Sequence, residues 1–170
     1  MTRSLPLLVL LLLLAPLALA QTEPAPGTGL SASVQAGQFD LLIPMWTGPS
    51  TAIIPSIGLA FGQDVGLDLR AGLAARFYRR VAEVSPYVAL RGGVLFFSPS
   101  QPEDGPDLDS TVDFLVGGAF GAEAFLAPKF SLGVEGQLNL TLSGEESARF
   151  GNPGNINVNT GAAVLATVYF

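Results

Sequence analysis

The chain has 170 residues, no cysteine, no histidine, eight basic and fourteen acidic residues, and a formal charge of −6. These counts exclude a disulfide framework, a thiol nucleophile and any Ser–His arrangement, and so acidic a chain is a poor partner for nucleic acid. Only 13% of residues are charged against 49% apolar, little charge for a soluble domain; yet no apolar run after residue 20 reaches the roughly twenty residues of a transmembrane helix.

Arg3 precedes an apolar run, Leu5 to Leu14, followed by Pro16 and the triplet Ala18-Leu19-Ala20. A charged start, an apolar centre and a small-residue cleavage site predict a cleaved secretory signal peptide over residues 1–20. The alternative, an uncleaved membrane helix, is disfavoured because the run is short and bracketed by Pro6 and Pro16. No Cys follows the cleavage site, which excludes lipid anchoring there. Residues 21–29 (QTEPAPGTG) lack periodicity and read as a flexible periplasmic lead-in. Residues 30–170 form one domain.

Within that domain the signal is period two, the geometry of strands. Residues 30–46 alternate weakly and supply one long bulged strand or two short ones joined at Gly37-Gln38. After the turn 47–50, Ile53, Pro55, Ile57, Leu59 and Phe61 share a face, and Pro55, which cannot donate to a ladder, is expected near the strand start. From Val65 to Tyr78, Leu67, Leu69, Leu73 and Phe77 oppose Asp68, Arg70 and Arg76. A short connection, 79–85, leads to a strand over 86–97, with Val88, Leu90, Val94 and Phe96 opposite Tyr87 and Arg91. Residues 98–110 (SPSQPEDGPDLDS) can only be a loop. In 111–126, Val112, Phe114, Val116 and Phe120 oppose Asp113 and Glu123; after the turn 127–129, Leu132, Val134, Leu138 and Leu140 oppose Glu135, Gln137 and Asn139. A second long loop, 143–155, precedes the closing strand, 156–170. There Ile156, Val158, Val164, Val168 and Phe170 face one way, and Asn157, Asn159 and Tyr169 the other.

All seven charges inside the strands after residue 50, Asp68, Arg70, Arg76, Arg91, Asp113, Glu123 and Glu135, fall on the face opposite the apolar one. A soluble sandwich also alternates, but it fills its water face with charge. Here that face is Gly, Ala and Ser between isolated charges, which suits the crowded lumen of a narrow barrel whose apolar face meets lipid. The expected fold is all-β: an antiparallel up-and-down transmembrane β-barrel.

The phrases VSPYVALRGGV (84–94) and GAEAFLAPKFSLGVEGQLNL (121–140) and the terminal Val168-Tyr169-Phe170 carry a resemblance to small bacterial outer-membrane β-barrels of the OmpA/OmpX kind, covering roughly residues 30–170. The resemblance implies both termini in the periplasm and hence an even strand number. Six strands follow residue 50, so residues 30–46 must supply two, giving eight, with the long loops 98–110 and 143–155 outside. It also implies a porin-like or structural protein of the cell outer membrane, surrounded by lipid and lipopolysaccharide. Val168, Tyr169 and Phe170 would then be the assembly signal read by the barrel-assembly machinery. A monomer is expected.

No catalytic residue, metal ligand or cofactor site is expected. Glu123 and Glu135 share a hairpin and a face and formally offer a carboxylate pair; the plainer reading is a lumenal salt-bridge network with Arg70, Arg76 and Arg91. The acidic run Glu103, Asp104, Asp107 and Asp109 lacks EF-hand spacing and reads as a solvated loop. Trp46, Tyr78, Phe96, Phe97 and Tyr169 near strand ends form either interfacial girdles or core aromatics. The expected function is a non-enzymatic barrel with a structural or surface-interaction role and at most a narrow pore. The alternative is a soluble lipocalin-like barrel binding an apolar ligand, in which the apolar face would point inward.

Overall fold

The computed structural model describes residues 26–35, 38–101, 108–147 and 149–170. The expected signal peptide, the first part of the lead-in (residues 21–25), and Glu103, Asp104 and Asp107 of the acidic run lie outside these residues.

Nine strand segments make one antiparallel sheet: β1 (Gly29–Gln35), β2 (Gln38–Leu42), β3 (Met45–Gly48), β4 (Thr51–Gly62), β5 (Gly66–Tyr78), β6 (Val84–Pro99), β7 (Thr111–Ala127), β8 (Phe130–Leu142) and β9 (Ile156–Tyr169). Sequential strands pair as hairpins, and β9 returns to β1 from Gly29↔Tyr169 to Val34↔Val164. β2 and β3 both lie on β4, through Leu41↔Ile57 and Met45↔Ile53. They are two halves of one wall strand bent at Ile43-Pro44. The result is a closed eight-stranded barrel, with residues 30–46 contributing two strands as the even count required.

The bend explains the placement of the prolines. Ile43 N–H donates to the Pro55 carbonyl (2.9 Å), and Gly29 N–H to the Pro44 carbonyl (2.9 Å). In an antiparallel ladder a residue's N–H and C=O point to the same side, so the missing N–H of Pro55 faces the interruption at Pro44. Pro55 therefore sits five residues into β4, deeper than its sequence position suggested, at the point where the wall strand beside it is interrupted. The end of the lead-in is also tied down: Trp46 N–H donates to the Gly27 carbonyl (3.0 Å) and Phe170 N–H to that of Thr28 (3.0 Å).

Most large apolar residues of the strands point outward, Ile54 and Leu165 being buried exceptions. Leu59, Leu90, Phe120, Val134 and Val158 are all at least 59% exposed, while Arg76, Asp113, Glu123 and Glu135 on the opposite face are at most 8% exposed. A lipocalin-like barrel needs the reverse arrangement, so that alternative is set aside. Register also decides the aromatics. Trp46, Tyr78 and Tyr169 share the parity of the inward polar residues, and Trp46 stacks on Tyr78 (centroids 4.5 Å apart) while Tyr169 lies against Phe125 (5.8 Å). They are core aromatics of the lumen, not a girdle.

One rim carries the start of β1, the C-terminus and the short connections 49–50, 79–83 and 128–129; the other carries 63–65 and the strand ends that flank 100–110 and 143–155. The Gly62–Gly66 turn depends on a backbone that side chains rarely adopt: Gly66 has φ of +119° and lies against the Ser98 carbonyl. Gly66→Ala is expected to lower stability by about 1–3 kcal/mol or more in denaturant unfolding from detergent micelles. Gly48→Ala, where a Cβ meets nothing within 4 Å, is expected to leave the midpoint within about 0.5 kcal/mol of the parent.

Candidate functional site: the lumenal polar network

The barrel interior brings charge together because alternate residues of every strand have nowhere else to point. The seven charged residues read from the sequence divide into three groups.

The first lies across β5, β6, β7 and β8 near the terminal rim. Arg76 Nη2 donates to Glu135 Oε2 (3.1 Å), and its Nη1 is 3.9 Å from Glu123 Oε2. Arg91 Nη1 is 3.7 Å from Glu135 Oε1. Three tyrosines complete the group: Tyr78 and Tyr169 donate to Glu123 (2.7 and 2.6 Å), and Tyr87 donates to Glu135 (3.0 Å). The Ser131 hydroxyl donates to Glu123, and Gln137 Nε2 to Glu135 (2.8 Å). The Arg76 guanidinium also sits over the Tyr87 ring, 4.5 Å from its centroid. Two carboxylates and two guanidinium groups balance, which a low-dielectric interior demands. Gly121 makes room for this: a Cβ there would come within 2.7 Å of Tyr87 Cζ and Oη.

All four carboxylate oxygens of Glu123 and Glu135 are thus occupied by donors of the chain itself. A general acid or base needs an oxygen that a substrate can reach, and this geometry offers none. Two voids of about 50 Å³ remain beside the cluster, each with room for about a water molecule or two.

The second group closes the opposite mouth. Arg149, from the connection between β8 and β9, grips Asp68 of β5 with both terminal nitrogens (2.7 and 3.2 Å) and donates from Nε to Asp113 of β7 (3.2 Å). Asp113 is fully buried and also accepts from Ser147 Oγ and the Gly144 N–H (both 2.9 Å). The bidentate fork of Arg is well suited to such a clasp. Above it lies a cleft of about 440 Å³ whose lining includes Phe97, Pro99, Leu108, Asp109 and Thr111. In the third group, Arg70 Nη2 pairs with Asp40 Oδ1 of β2 (3.0 Å) and donates to the Phe39 carbonyl (3.3 Å).

Sequence reasoning did not place Arg149, Asp40 or the three tyrosines in this network. The tyrosines carried a signal, since all three share the parity of the charged face. Arg149 carried none, because it arrives from a loop with no periodicity. Among the described residues no group of three or more acidic side chains is placed to hold a metal ion.

No protein-family profile matches the chain, and no curated protein sequence is significantly similar to it. Solved structures do resemble it. Neisserial surface protein A, from Neisseria, is 14% identical, with 84% of this chain and 93% of that one covered at a TM-score of 0.53. Ail, the attachment invasion locus protein of Yersinia pestis, is 18% identical over the same shares, at a TM-score of 0.46. The chain has the eight-stranded fold of small outer-membrane β-barrels.

Removing the central cation should be costly. Arg76→Met leaves two buried carboxylates without their main partner and is expected to lower stability by about 3–5 kcal/mol in urea unfolding from detergent micelles. Adding Glu123→Gln and Glu135→Gln should restore much of that loss, since neutral amides need no counter-charge. A loss under about 1 kcal/mol for Arg76→Met alone would show that the cluster does not depend on it.

Proposed function

We propose that this chain is an integral outer-membrane β-barrel protein, exported through a cleaved N-terminal signal peptide, without enzymatic activity, and acting as a structural or surface-interaction element. One observation carries the reading: most large apolar side chains of the wall strands face outward and the charged ones inward. In water such a surface would be an aggregation hazard, whereas in lipid it is the favourable solvent contact. Closure of the β1–β9 ladder supports it, because backbone groups in hydrocarbon must pair with one another.

The filled lumen supports at most a narrow pore. The Arg76–Glu123–Glu135 cluster spans the interior, and the Arg149 clasp covers the mouth. The absence of His and Cys from the sequence removes the usual nucleophile–base arrangements. The surface role falls to the long loops and the cleft beside Arg149, on the rim opposite the termini, which on this reading faces outward. Val168, Tyr169 and Phe170 serve as the signal for the assembly machinery, lipid and lipopolysaccharide are the surroundings, and the protein acts as a monomer.

Expressed with its leader in a Gram-negative host, the protein should appear in the outer-membrane fraction. In unheated detergent it should migrate as a compact band that shifts on boiling. Recovery from the periplasm without detergent would contradict the reading. In phospholipid vesicles, Leu90→Arg near mid-wall should cost about 2–4 kcal/mol of unfolding free energy; a water-facing position would tolerate the same change.

A further inference from the structure

The barrel wall is not of even height. Around most of the ring, neighbouring strands stay paired up to the loop-bearing rim: Gly62↔Gly66, Gly66↔Pro99, Phe97↔Thr111, Phe114↔Leu142 and Leu142↔Ile156. The β1–β2 hairpin stops short. β1 leaves β9 at Val34↔Val164, and β2 leaves β4 at Asp40↔Gly58. Among the described residues, Ile156 to Ala163 of β9 and Leu59 to Gly62 of β4 therefore each have a ladder on one side only. At about 3.3 Å per residue these free edges run about 26 Å and 13 Å along their strands.

This notch lies within the apolar belt, since its outward flanks are Leu59 and Phe61 on β4 and Ile156 and Val158 on β9, all at least 60% exposed. Free backbone donors and acceptors at such a depth are costly in hydrocarbon. The inner side of the notch is polar. Along β9, Asn159 bonds Thr141 (3.2 Å) and Asn157 bonds Ser143 (2.8 Å). Across from them, at the sill, Arg70 lies over Gly58, where a Cβ would collide with the Asp40 carboxylate and approach Arg70 Nε to 2.7 Å. Glycine thus allows the guanidinium to cross the strand. Arg70 spends Nη2 on Asp40 and the Phe39 carbonyl, while its Nε and Nη1 are buried with no partner among the described residues. Arg91 lines the same void, with its own partner Glu135 3.7 Å away.

We infer that the notch between β4 and β9 is a lateral portal through which the barrel binds an anionic lipid of the surrounding leaflet, its acyl chain against the apolar flanks and its acidic head group on Arg70. The inference rests on the membrane reading above. Arg70 Nε and Nη1, on opposite sides of the guanidinium, each hold an N–H that a phosphate or carboxylate oxygen could take singly, and the head group supplies acceptors for the free N–H groups of the strand edges.

The chain has no cysteine, so single labels report one place each. A bimane label is placed at Asn159→Cys inside the notch, Leu115→Cys on the inner face of the intact wall, and Val134→Cys on the outer face. The host is vesicles of phosphatidylglycerol in phosphatidylcholine, with brominated acyl chains on one lipid at a time. Quenching is expected at Val134 and Asn159 and not at Leu115. At Asn159 it should be several-fold stronger with bromine on phosphatidylglycerol, and Arg70→Gln combined with Asp40→Asn should abolish that preference. Asn157→Cys replaces Asn159→Cys should the latter lose heat modifiability. Quenching at Val134 without quenching at Asn159 overturns the portal alone; no quenching at Val134 overturns the membrane reading itself. A preference that is missing or survives the Arg70 change overturns the head-group site. A preference erased by millimolar inorganic phosphate would assign the site to free phosphate instead of lipid.

Discussion

Closure of the sheet is the constraint on which the rest depends. A sheet with two free edges presents rows of unpaired amides, and in hydrocarbon no solvent answers them. The ladder from Gly29↔Tyr169 to Val34↔Val164 joins first strand to last and removes the problem along that length. It also forces the two sides of every strand into different solvents. Once the ring is closed, even and odd residues can no longer exchange environments, and a one-residue slip anywhere would put charge outside and leucine inside.

The inside then becomes a problem of charge balance in a small volume. It is met by pairing carboxylates with arginines and by adding neutral donors where the arginines cannot reach. Tyr78, Tyr87 and Tyr169 do this near the terminal rim, each bringing a large ring to fill space and a hydroxyl to satisfy Glu123 or Glu135. Glycines such as Gly121 and Gly58 set how closely those groups approach the wall. At the opposite mouth the solution is different, because Arg149 comes from outside the sheet and folds down onto Asp68 and Asp113. The two ends therefore differ in kind: one is fixed by strand residues, the other by a loop side chain that could let go without disturbing the ladders.

Much of this was legible because period two is a strong signal where one face is apolar and the other is not. The six strands from β4 to β9 and the gathering of all seven charged residues on one face followed from alternation, and their inward direction from the small residues between them. The segment 30–46 was ambiguous for a physical reason: the bend at Pro44 breaks alternation, and the wall strand there is assembled from two short pieces. Which charges meet was not legible. Pairing depends on register, and the sequence does not show that Gly58 stands between Asp40 and Arg70 or that Glu123 lies opposite Gly133. The height of the wall was hidden for the same reason, since the uneven rim appears only when each ladder's last pair is known.

The measurement that bears most directly on the account is a spin-label scan along β8, from Leu132 to Asn139, in phospholipid vesicles. Collision with oxygen, which concentrates in lipid, is compared with collision against a water-soluble nickel chelate. The account predicts a period of two: high oxygen accessibility at Leu132, Val134 and Leu138, and low accessibility to both probes at Gly133, Glu135, Gln137 and Asn139. A flat profile, or chelate contact at Val134 and Leu138, would contradict a lipid-facing apolar wall around a filled polar lumen.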